Sequence, residues 1–116
     1  MKRDINLYLN DIIGAIELIK SSTKNFTKKE FEENRDIQDA NIRRIEIIGE
    51  AVKHLPIIIR RKYPNIRWEQ IAGSRDFLIH SYFGVDIDKI WKVIKEDLLI
   101  LEKEINKIIA EIKQRG

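Results

Sequence analysis

The sequence predicts an all-α protein, an up-and-down bundle of four to five helices. Three observations carry that expectation. Only two prolines and five glycines punctuate the 116 residues. No stretch alternates apolar and polar residues as a half-buried strand would. Apolar side chains instead recur at steps of three and four along most of the chain. A chain of this length buries enough surface to fold without staples, so residues 1–116 read as one domain.

The first helix is expected over about Arg3 to Lys20, with Ile5, Leu9, Ile12, Ile13, Ile16 and Ile19 on one stripe and Ser21-Ser22-Thr23 as its terminator. Thr27-Lys-Lys-Glu30 matches a capping box, which opens a short helix near residues 28–34. The third helix runs from about Asp36 to Leu55 and stops before Pro56. Its apolar face reads as Ile37, Ala40, Ile47, Ile48, Ala51 and Leu55, with Arg44 inside it. Gly49, Ile42 and Ile45 lie on a second side, as in a helix that is central or at a subunit interface. Pro56 suits the first turn of a short helix ending near Arg61. After Tyr63-Pro64 another helix starts between Ile66 and Trp68. In the last helix Ile87, Trp91, Ile94, Leu98, Leu101, Ile105, Ile108 and Ile112 follow alternating steps of four and three, a 3.5-residue seam. Asp86 or Asp88 can cap its start.

Composition narrows the chemistry. With 43% hydrophobic and 35% charged residues the chain is neither disordered nor membrane-spanning, and no leader opens it, so a cytoplasmic address is expected. The absence of cysteine removes disulfides and thiolate metal sites. Two isolated histidines, His54 and His80, argue against a metal, and no cofactor is implied. A net charge of +3 permits nucleic-acid binding without requiring it.

The chemistry-bearing stretch is Arg75-Asp76-Phe77-Leu78-Ile79-His80-Ser81-Tyr82. On a helix, Ile71, Ala72, Ile79, Tyr82 and Arg75 all fall within about 60° of Trp68. A guanidinium on an apolar stripe keeps its charge, so it needs an anion beside it. That anion is either a glutamate of a neighbouring helix or a phosphate gripped by two parallel hydrogen bonds. Glu46 and Glu50 are the structural candidates for the buried arginines.

Arg75, His80 and Tyr82 in the spacing Arg-x4-His-x-Tyr resemble the signature of the HEPN superfamily, and specifically its HepT-like toxins. Asn41-Ile-Arg-Arg-Ile-Glu-Ile-Ile-Gly-Glu-Ala51, Tyr63-Pro-Asn-Ile-Arg-Trp-Glu-Gln-Ile-Ala-Gly73 and Tyr82-Phe-Gly-Val-Asp86 resemble that family's flanking blocks, in the same order. The resemblance implies a metal-independent endoribonuclease toxin of a type VII toxin–antitoxin system. Arg75 would meet the phosphate, His80 would move protons and Tyr82 would line the site. It also implies a homodimer whose motif helices share one groove, which supplies a second His80. The implied partner is an MntA-like nucleotidyltransferase antitoxin, which silences the toxin by transferring AMP to Tyr82.

Other residues take supporting parts. Asp76 stands where the family usually has a small polar residue, most often Asn, and fits that class; four positions before His80, it is placed to orient the imidazole. Arg43, Arg44, Arg60, Arg61, Lys62 and Arg67 are candidates for RNA contact, with solvated faces as the plainer alternative. His54, near a helix C-terminus, reads as non-catalytic. One difficulty stands: Arg75 and His80, five apart, lie about 140° from each other around a helix. A second reading of the whole is a non-catalytic HEPN module that binds nucleotide or docks a nucleotidyltransferase.

Overall fold

The computed structural model describes residues 4–73 and 87–115. Helix α1 spans Ile5–Thr23 and buries Leu9, Ile12, Ala15, Ile16, Ile19 and Thr23, a stripe at helical spacing. Asp4 caps its start by accepting from the Asn6 amide at 2.8 Å. The helix outlasts the sequence expectation by three residues. The hydroxyls of Ser21 and Ser22 fold back onto the Leu18 and Ile19 carbonyls at 3.2 and 3.1 Å. Thr23 reaches Ile19 O at 2.8 Å. Residues expected to end the helix thus bond to it instead.

Helix α2, Lys28–Glu33, starts with the expected capping box. The Glu30 amide donates to Thr27 Oγ1 at 3.1 Å, and the Thr27 amide donates to Glu30 Oε1 at 3.0 Å. The backbone bond from Thr27, then its side-chain bond, hold the Glu30 carboxyl below its ordinary pKa. A lowered carboxylate contributes stability above its unfolded pKa and loses it as pH falls through the folded one. Thr27→Ala should lower stability by about 1 kcal/mol in a urea melt at neutral pH. Glu30→Ala should cost less at pH 3 than at neutral pH, where the carboxylate accepts from the Thr27 amide; an equal penalty at both would contradict the reciprocal bond.

Helix α3, Arg35–Lys53, is capped by Asn34, whose Oδ1 accepts from the Ile37 amide at 3.0 Å. Gln38 Nε2 donates back to the Phe31 and Glu32 carbonyls at 2.8 and 3.0 Å, closing the end of α2. The buried face of α3 is Gln38, Asn41, Ile42, Ile45, Ile48, Gly49, Ala51 and Val52. This corrects the sequence reading. Ile48, Ala51 and Leu55 of the expected face are buried, but Ile42, Ile45 and Gly49 of the expected second side join them in the core, and Ile47 is 37% exposed. Ile37 and Ala40 are only half-buried. The helix carries apolar residues on two adjoining sides, so packing against α1 decides which of them go inside.

Contacts at both ends set the direction. Ser22 meets Asn41, and Tyr8 stacks on His54 with ring centroids 5.0 Å apart, so α1 and α3 are antiparallel. Helix α4, Ile57–Lys62, follows Pro56 as expected, and α5, Trp68–Ala72, begins where the sequence placed it. Trp68 Nε1 donates to the Tyr63 carbonyl at 3.0 Å and fixes the turn between them.

Helices α6, Ile87–Lys92, and α7, Leu98–Arg115, make the last rod. Lys20–Glu102 at 2.9 Å and Lys95 Nζ on the Thr23 carbonyl at 3.1 Å lay it antiparallel to α1. Tyr63 Oη donates to Glu111 Oε2 at the far end. The expected unbroken seam does not hold. A π turn over Val93–Asp97 separates α6 from α7, with the Leu98 amide bonding back to Val93 O. Its wider winding turns the preceding helix by roughly 90° relative to a plain α-helix. Ile90 therefore joins Ile94, Leu98, Leu101, Ile105 and Ile108 in the core, while Trp91 is only half-buried. Trp91 packs instead on Phe31, centroids 5.2 Å apart, with Lys95 Nζ 4.7 Å above its ring.

Candidate functional site

Arg75, Asp76, His80 and Tyr82 lie outside the described residues. Their flanks are described. On the entry side, α5 carries Trp68 buried in the core, with Ile71 and Ala72 packed against it. On the exit side, α6 is tied to α2 by Lys28–Asp88 at 2.8 Å and by the Phe31–Trp91 contact. That ion pair raises the Lys28 pKa, chiefly through its hydrogen bond to Asp88. The motif therefore leaves from and returns to two packed anchors.

The remaining candidate cations fall into different environments. Arg43 is exposed and pairs with Glu46 at 3.4 Å. Lys53 takes Glu50 at 3.5 Å. The expectation that Glu46 or Glu50 neutralises Arg44 is therefore overturned. Arg44 is half-buried, and its Nη1 donates to Ser22 Oγ at 3.2 Å and to Asn41 Oδ1 at 3.0 Å. Sequence reasoning missed this cluster. The available signal was Asn41 itself, an amide within the apolar block of α3.

Arg60 is half-buried with its Nε buried and unpartnered. Arg61 and Arg67 are exposed. Lys62 pairs with Glu111 at 3.2 Å. Between Lys53 and Glu69 stand five cations and one carboxylate, against a net charge of +3 for the whole chain. The segment is thus net positive, and it leads directly into α5. His54 terminates α3 and is exposed, stacked on Tyr8.

Among the described residues no three His, Asp or Glu side chains gather as a metal site. No helix among them is long and apolar enough to cross a membrane.

The fold and the motif-bearing segment define the class: an all-α HEPN-like domain. The chain belongs to the HepT-like ribonuclease family, whose model matches residues 12–108. It is 49% identical over 97% of its length to a gamma-glutamylcyclotransferase and candidate RNase of Methanocaldococcus jannaschii, spanning 50% of that protein. A candidate RNase of the same organism is 44% identical, with 98% of each chain covered. A probable ribonuclease HepT of Thermococcus cleftensis is 44% identical over 93% of this chain and 98% of its own. No solved structure matches.

Proposed function

We propose that the protein is a homodimeric, metal-independent endoribonuclease, the toxin of a HepT/MntA-like pair. The observation that carries this reading is Arg75-x4-His80-x-Tyr82 inside a chain that matches a ribonuclease family over residues 12–108.

Cleavage needs a proton acceptor, a proton donor and a fixed positive charge. The 2′-hydroxyl gives its proton to one His80 as its oxygen bonds to phosphorus. The P–O5′ bond breaks, and the departing oxygen takes a proton from the partner subunit's His80. Arg75 holds two phosphate oxygens as negative charge builds on them. The products are a 2′,3′-cyclic phosphate and a 5′-hydroxyl. Histidine suits both proton steps because it titrates near neutrality. A two-fold groove also removes the angular difficulty, because residues on different faces of one helix can border the same cleft between two.

Tyr82 is the control point in this reading. AMP on its oxygen adds bulk and negative charge where RNA phosphate binds, so it blocks by exclusion and by repulsion. An MntA-like nucleotidyltransferase supplies the AMP.

Purified full-length protein incubated with end-labelled RNA in EDTA should cut it, leaving cyclic-phosphate ends. Cleavage that requires added magnesium, or that leaves 5′-phosphates, would overturn the mechanism.

A further inference from the structure

We infer that Arg44 is a second phosphate contact, gripping the RNA backbone away from the scissile bond; the inference rests on the ribonuclease reading. Three other cations of these helices are matched with carboxylates: Lys20 with Glu102 at 2.9 Å, Arg43 with Glu46 at 3.4 Å and Lys28 with Asp88 at 2.8 Å. Arg44 differs. Both its contacts, Ser22 Oγ and Asn41 Oδ1, are neutral, and among the described residues no carboxylate pairs with it. A half-buried guanidinium with neutral supports keeps its full charge and is fixed along one edge. Both contacts use Nη1, which leaves the other donors for a ligand.

The supports are built. Asn41 is fully buried, and Ser22 Oγ lies 3.0 Å from its Oδ1 and 3.1 Å from the Ile19 carbonyl. The hydroxyl has one proton for those two acceptors and receives the bond from Arg44. Asn41 Nδ2 is buried with no acceptor, a donor the fold leaves unsatisfied. Aspartate at this position would carry no orphan donor and would neutralise Arg44. The amide therefore gives up stability and preserves a free cation. Lys95 adds a neighbouring charge, its Nζ 3.1 Å from the Thr23 carbonyl at the same end of α1. A fixed planar cation with unused donors matches the oxygens of a phosphodiester.

The test is the salt dependence of binding, using the full chain and a labelled single-stranded 2′-O-methyl RNA, which cannot be cleaved. Arg44→Gln should reduce the slope of log affinity against log salt by about 0.7, the contribution of one phosphate contact on a single strand. Asn41→Asp should reproduce that loss while leaving the melting temperature equal or higher. Arg43→Gln, whose charge Glu46 already offsets, should leave the slope near that of the parent. A parent slope retained in Arg44→Gln overturns this inference alone, as does an equal fall in Arg43→Gln. No RNA binding by the parent chain would sink the ribonuclease reading together with it.

Discussion

His80→Ala is expected to slow RNA cleavage by about 10²–10⁴-fold, the usual contribution of a positioned proton-transfer group. Arg75→Ala should cost about 10²–10³-fold, as the loss of one preorganised stabiliser of developing charge does. Arg75→Lys should recover little, because an ammonium keeps the charge but not the two-pronged grip. The parent rate should pass through a maximum near neutral pH, since one histidine must be deprotonated and its counterpart protonated. These rates are read under single turnover on labelled RNA, with circular dichroism to confirm that each variant folds. A His80→Ala protein that cuts at the parent rate removes the histidine from the chemistry. A rate that climbs steadily with pH would point to a single base and no paired acid.

How far the sequence determines the structure depends on whether local chemistry or neighbours decide. The capping box at Thr27 and Glu30 is a local matter of orphan amides, so it was readable and is present. The start of α4 after Pro56 is similar, because a proline's fixed φ acts without partners. The rotation of α3 was only half readable: Ile48, Ala51 and Leu55 are buried as expected, whereas Ile47 is not. Ile42, Ile45, Ile47, Ile48 and Val52 spread around the helix, and only the stripe of α1 selects among them. The π turn was hidden for a different reason. Ile87, Trp91, Ile94 and Leu98 fit an unbroken 3.5-residue seam well, yet Ile90 is buried and Trp91 reaches across to Phe31. Periodicity cannot report a change of winding within its own window.

The same split applies to the site. Arg75, His80 and Tyr82 stand out in sequence because they are rare polar residues at a recognisable spacing. Arg44 was visible as a charge on an apolar stripe, but one partner is a hydroxyl of α1 and the other an amide of its own helix rather than a carboxylate. The sequence offered Glu46 and Glu50 as partners; geometry gave those carboxylates to Arg43 and Lys53.

Phe31→Ala should produce the largest stability loss of any single change at this end of the bundle. Helix α2 has six residues, far too few to hold together alone, and Phe31 is its one buried side chain. The ring is completely buried and packs against Trp91, and the Phe31 carbonyl accepts from Gln38 Nε2 at 2.8 Å. Removing it takes away both the transferred apolar surface and the packing around the void, about 3–5 kcal/mol. For a domain of this size that is roughly 10–20 °C in melting temperature. Phe31→Leu keeps most of the volume and should lose well under half as much. Lys28→Ala breaks only the exposed ion pair between the same two helices, so it should barely move the melt. The contrast identifies what fastens α2 to α6. If Phe31→Ala melted no earlier than Lys28→Ala, the ring would not be a core contact, and the anchor on which the motif's exit depends would have to lie elsewhere.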